Sequence, residues 1–127
     1  MNNINRNLAL AEFDSENPAY KHVLAYIARH YKITPEMIQS MSRVYSTPRF
    51  VVACIIKWKY KLSNMKIGVF LGGRQNASII NAFRQVERWY ETDAKFRREM
   101  HLFASYFNIT IDFDTLKPKT YGEVSAN

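Results

Sequence analysis

Cysteine is nearly absent from this chain: Cys54 is the only one in 127 residues, so no internal disulfide can form. It sits in the apolar run VVACII, residues 51–56, where a thiol serves as a small buried hydrophobe. Long apolar runs are lacking as well. None approaches the roughly 18 residues that a membrane helix needs. The opening residues, MNNINRNLALAEFDSENP, have neither the charged start nor the long apolar core of a secretory signal. A cytoplasmic location is the expectation that remains. His22, His30 and His101 lack metal-ligand spacing, and no nucleophile motif or phosphate-cradling glycine loop occurs. The chain is expected to be no enzyme, to hold no metal and to use no cofactor.

What is present is a folded-protein composition with a basic centre. Hydrophobic residues make up 47%, too many for a disordered chain, and the length fits one domain with a modest core. The formal charge is +7, from 18 basic and 11 acidic residues. Between residues 43 and 88, nine basic residues face Glu87 alone, a local charge of +8, so the outer segments nearly cancel. A basic middle suits a polyanion partner; a merely solvated surface is the plainer alternative.

Three helix starts share one pattern. Asn17-Pro18, Thr34-Pro35 and Thr47-Pro48 each set a capping side chain before a proline whose missing N–H would have had no helical partner. Helical periodicity after each pair predicts helices over residues 18–31, 35–40 and 48–62. Tyr20, Leu24, Ile27 and Tyr31 form the inner stripe of the first. Met37 and Ile38 are the expected buried residues of the second, and Val51, Ile55, Trp58 and Leu62 those of the third. A loop over residues 41–47 lies between the last two. A short fourth helix is predicted over 65–71 with Asn64 as its cap, a fifth over 76–91, and a sixth from residue 92 or 93 carrying Phe96, Met100, Phe103 and Phe107. Residues 17–107 thus read as one all-α domain. Residues 1–16 read as a flexible segment and 108–127 as a tail, in which ITIDFD alternates like a short strand with nothing evident to pair with.

The densest information lies in residues 64–89, NMKIGVFLGGRQNASIINAFRQVERW. A short helix, a Gly72-Gly73 break, Arg74 and a longer amphipathic helix make the layout of a helix-turn-helix, whose second helix enters the DNA major groove. Ile67-Gly68, then Leu71-Gly72-Gly73-Arg74, with Pro48-Arg49 upstream and the residues 27–33 (IARHYKI) at the end of the first helix, resemble the C-terminal DNA-binding domain of the bacterial chromosomal replication initiator, DnaA. The resemblance covers about residues 26–107 and implies a six-helix, Trp-repressor-like helix-turn-helix fold in which Gly68, Gly72 and Gly73 build the turn. No GxxxxGK[ST] run occurs, so the initiator's ATPase is not implied. The family's usual Asp-His-Thr-Thr after Gly-Gly-Arg is replaced by Gln75, Asn76, Ala77 and Ser78. The loop before Pro48 keeps one arginine, Arg43, where the family has several, and Phe50 replaces a common glutamine.

These residues define the expected interface with double-stranded DNA. Arg74 resembles a DNA-contacting arginine, and a guanidinium suits guanine O6 and N7; a salt bridge that fixes the turn is its other reading. Gln75 and Asn76 suit adenine N6 and N7, while Asn76 is equally suited to cap the helix. Ser78 keeps a hydroxyl for a base or phosphate, and Asn81 lies one turn along the same face. Lys57 resembles a phosphate-contacting lysine, with Lys61 beside it; Lys66, Arg49 and Arg43 are further phosphate candidates. The expected function is that of a stand-alone, sequence-specific DNA-binding protein in replication control or transcription regulation, of a phage, mobile element or host. Replication or transcription proteins are further candidate partners. The rival is a protein-interaction module that kept the fold and lost specific DNA binding. Oligomeric state stays open.

Overall fold

The computed structural model describes residues 13–117; most of the expected flexible start and the last ten residues of the expected tail lie outside that range. Among the described residues six helices follow one another: α1 (Pro18–Tyr31), α2 (Pro35–Ile38), α3 (Ser46–Tyr60), α4 (Asn64–Phe70), α5 (Asn76–Thr92) and α6 (Ala94–Phe107). Short 3₁₀ turns precede α3 (Arg43–Tyr45) and follow α6 (Phe113–Leu116). No strand forms among the described residues, and no helix there is long and apolar enough to cross a membrane.

Two of the three proline starts are capped as the sequence predicts. Asn17 Oδ1 accepts from the Ala19 N–H at 2.8 Å and Thr34 Oγ1 from that of Met37 at 3.2 Å. At the third, the 3₁₀ turn runs directly into α3, which starts two residues early at Ser46 and has no side-chain cap. Pro48 is then the third helical residue, still within the first turn, where its lack of an N–H leaves no bond unmade. At α4 the cap is Ser63, not Asn64: its hydroxyl accepts from the Lys66 N–H at 3.2 Å. Asp93 caps α6, accepting from Lys95 and Phe96. The second helix is shorter than expected, and Met37 is exposed rather than buried.

Helix α3 runs through the centre. Val51, Val52, Ala53, Cys54, Ile55 and Ile56 are all fully buried, so this stretch of the helix is apolar all round rather than along one stripe, and Lys57 and Lys59 follow it in the last turn. Helix α1 packs on one side and α5 on another, with α6 and the C-terminal turn completing the cover. Of the expected inner residues of α5, Ile79, Phe83 and Val86 are buried and Tyr90 is half-buried against the core, while Phe96, Met100, Phe103 and Phe107 of α6 are buried.

Residues 109–117 are part of the body rather than a loose tail. Ile109, Ile111 and Phe113 pack against the core, while Thr110, Asp112 and Asp114 face out. Leu116 is buried. Trp58 Nε1 donates to the Asp112 carbonyl at 3.1 Å, and Lys59 Nζ to that of Phe107 at 2.8 Å. The alternation in ITIDFD is thus real, but its inner face meets helices instead of a partner strand.

Candidate nucleic-acid interface

The turn between α4 and α5 is held by backbone groups. The Gly68 carbonyl accepts from both Gly73 (2.9 Å) and Arg74 (2.8 Å). That close return of the chain requires a residue without a side chain: a Cβ on Gly68 would overlap the Arg74 carbonyl. Gly72 and Gly73 take φ values of 95° and 88°, a region that costs other residues a Cβ clash. A Cβ on Gly72 would also overlap the carbonyl of Gln39. Gln39 in turn donates from Nε2 to the Phe70 carbonyl at 2.8 Å, fastening the turn to the residue that ends α2.

Two arginines lock this turn to the segment before α3. Arg74 donates from Nε to Leu71 O (3.1 Å) and from Nη2 to Ser40 O (2.5 Å). Arg49, only 2% exposed, donates from Nε to Ile38 O (2.8 Å) and from Nη2 to Ser40 O (2.9 Å) and Ser42 O (2.7 Å). Burial, with the neighbouring Arg74 charge adding to it, lowers the Arg49 pKa to about 10. Burial also lowers that of Arg74. Arg49, expected as a phosphate candidate, is instead committed in this structure to three carbonyls of the irregular segment before α3. Arg74 is half-buried and donates to carbonyls on both sides of the turn rather than to a carboxylate.

The polar face of α5 is open. Gln75 occupies the N-cap position without a side-chain bond, and its carbonyl accepts from Ser78 and Ile79. Asn76 is therefore the first helical residue and not the cap. Gln75, Ala77, Ser78, Asn81, Arg84 and Arg88 are exposed, and from Ala77 on they recur at three- and four-residue intervals along one face. Beside this face lies a cleft of about 660 Å³. Ser78 and Asn81 of α5, Met41 and Arg43 of the segment before α3, and Arg49 and Arg74 are among the residues that line it. No acidic side chain lines it.

Lys57, Lys61 and Lys66 do not line the cleft. Lys57 Nζ donates to Leu62 O at 2.9 Å, a cation placed beyond the C-terminal end of α3, where the helix dipole favours it. Lys61 is the exposed left-handed residue that ends α3, with φ 58°. Lys66 lies in the first turn of α4 and is half-buried.

The comparison with known families matches this architecture. Residues 20–86, from α1 through most of α5, match the family model of the bacterial dnaA protein helix-turn-helix. The chain belongs to that family. The chromosomal replication initiator proteins DnaA of two Ehrlichia ruminantium strains, Gardel and Welgevonden, are each 32% identical to it over 92 residues. The match takes in 59% of this chain and 20% of each relative, so the chain spans about a fifth of the length of those initiators.

Within this DnaA-type helix-turn-helix, Gly68, Gly72, Gly73 and Arg74 shape the turn. The exposed apolar pair beside the cleft, Met41 (72% exposed) and Val44 (80%), could not be singled out from sequence. Nothing in a seven-residue loop tells which side chains point outward.

Proposed function

We propose that this chain binds double-stranded DNA sequence-specifically, in replication control or transcription regulation, with the N-terminal half of α5 in the major groove. The observation that carries the reading is the contrast within the helix-turn-helix. The Gly68 carbonyl, the Gly73 and Arg74 N–H groups and the Arg74 guanidinium are committed to the turn, while the Gln75, Ser78 and Asn81 side chains are exposed on a helix of amphipathic pattern. Gln75, Asn76 and Asn81 carry the amide pair that matches adenine N6 and N7, and Ser78 offers a hydroxyl to a base or phosphate. Arg43, Arg84 and Arg88, with Lys61 and Lys66 further out, supply the phosphate attraction. Lys57 contributes charge from its helix-end position, and Arg49 and Arg74 act by holding the scaffold.

Family membership supports the reading, because the helix-turn-helix of this family is a DNA-binding one. The altered residues after Arg74 support a preferred sequence different from the initiator's own. The test is duplex binding across a salt series. Three to five neutralised phosphates give a slope of about −3 to −4.5 in log affinity against log salt. Absence of duplex binding at low salt would overturn the reading in favour of a protein-interaction module on the same fold.

A further inference from the structure

We propose that the outer face shared by α1 and α6 is a docking surface for an acidic segment of another protein that carries apolar anchors. The face shares no residue with the cleft beside α5, so a partner seated on it leaves α5 open.

The first observation is an apolar patch that the fold leaves uncovered. Aromatic rings join the two helices in antiparallel order. His22 meets Tyr106 and Phe107, Tyr26 meets Phe103, Tyr106 and Phe107, and His30 meets Phe103. Phe103 and Phe107 are buried, but Tyr106 stays 50% exposed and Leu102, one turn before it, 53%. Tyr106 is nonetheless fixed. Its ring stacks on Tyr26 with centroids 3.9 Å apart, and its hydroxyl lies 3.0 Å from His22 Nε2. A large ring that is held in place and still open to water loses little conformational entropy on contact, which suits the anchor of an interface. A lone exposed leucine needs no explanation; a leucine beside a pinned tyrosine, rimmed by charge, marks a contact surface.

The second observation is the sign of that rim. Arg29 lies in the last turn of α1 and Lys32 caps its C-terminus, while Lys95 and Arg98 lie in the first two turns of α6. The antiparallel order brings these cations to one end of the face. All are exposed, and none of their side chains forms a hydrogen bond or ion pair among the described residues. Lys95 even sits where the helix dipole disfavours a cation. At the other end, Lys21 is already paired with Glu16 at 2.5 Å. Helix α1 has no acidic residue and α6 has one, Glu99, whose Oε2 lies 3.3 Å from His30 Nε2. A second copy of this chain would therefore bring like charge and no free acid on these two helices. An acidic partner meets the cations and covers Leu102 and Tyr106 with its own apolar side chains, charge setting speed and register and the apolar contact the residence time.

The experiment selects binders of the full chain from a random peptide library and follows one enriched peptide, fluorescently labelled, by anisotropy. An acidic-partner site predicts peptides that combine Asp or Glu with leucine, isoleucine or aromatic residues, and binding that weakens as salt rises. L102S should weaken it about ten-fold, and R29E/R98E by at least about ten-fold. These positions are exposed, so both variants fold, which circular dichroism checks. A copy of the peptide with lysine at its acidic positions should bind R29E/R98E better than wild type, a reversal that a merely structural role for the two arginines does not produce. R84E, on the exposed face of α5, should bind the original peptide as wild type does. Enriched peptides without acidic residues, no enrichment at all, or binding that L102S and R29E/R98E leave unchanged overturns the docking surface. A wild-type chain that sediments as a dimer while L102S is monomeric assigns the face to a second copy. Binding to phosphatidylglycerol vesicles that both variants abolish, with no peptide enriched, assigns it to a membrane. Either result overturns the docking surface, and none of them touches the DNA-binding reading, since no duplex takes part.

Discussion

Arg49 and Arg74 donate to the same acceptor, the carbonyl oxygen of Ser40. One belongs to the helix through the centre of the core, the other to the turn that aims α5. Their shared acceptor fixes the distance between the segment before α3 and the helix-turn-helix, and so the geometry of the cleft. Because Arg49 is buried and serves three carbonyls, Arg49→Met should destabilise the fold by about 3 kcal/mol, the range expected when charge-assisted hydrogen bonds are lost and their partners left buried. Arg74→Met, at a half-buried site with two acceptors, should cost about 1 kcal/mol. Urea unfolding followed by far-UV circular dichroism gives both values; equal effects would contradict this division of roles.

The helix-turn-helix turn makes a second prediction. Gly68→Ala meets the Arg74 carbonyl, a backbone group that cannot step aside without opening the turn. Gly73→Ala meets nothing, although its φ of 88° is unfavourable for alanine. Gly73→Ala should therefore cost about 1–2 kcal/mol, and Gly68→Ala clearly more, with a matching drop in melting temperature.

The residues after α6 supply a third. Leu116→Ala should cost about 2–3 kcal/mol, at the lower end for a buried leucine since the site lies at the edge of the core. In a Trp89→Phe background, which leaves Trp58 as the one tryptophan, unfolding should stay a single transition, with Trp58 fluorescence and helical signal lost together, because the indole N–H is bonded to Asp112. An early, separate loss of the tryptophan signal would show that this segment is not integral to the body.

Cys54 supplies a fourth. It is fully buried, and burial holds its thiol well above the ordinary range, so the thiolate that reacts is scarce in the native state. A thiol reagent at pH 8 should label the native chain at the rate of unfolding and the urea-unfolded chain at once. Rapid native labelling would contradict the packing around α3.

Much of this architecture was legible in the residues. Asn17-Pro18 and Thr34-Pro35 are read correctly because cap and proline are adjacent and no competing cap precedes them. Thr47-Pro48 misleads because Ser46 lets the 3₁₀ turn flow into α3 without a cap, and proline is tolerated anywhere in the first turn. Ser63 and Asn64 are both good caps, and only the backbone path chooses between them. The alternation of Ile109, Ile111 and Phe113 correctly marks one inward face, yet periodicity does not say whether that face meets a strand or a helix. At the interface, the turn glycines were legible because few residues tolerate their geometry. Arg49 was not: a basic residue in a basic segment looks alike whether its partner is a phosphate or three buried carbonyls. The same holds for Arg74, whose acceptor Ser40 lies 34 residues away in the chain.

The central claim is that the exposed residues of α5 read base sequence. Selection from random duplexes with the wild-type chain and with a Gln75→Ala/Asn81→Ala variant tests it most directly, since both side chains are exposed and their loss leaves the fold intact. The account predicts one enriched site with adenines under the amide side chains. In the variant, preference at those positions should relax, with affinity falling by roughly 5- to 150-fold, about 1–3 kcal/mol for a lost bidentate base contact. An identical site and affinity for wild type and variant would contradict it.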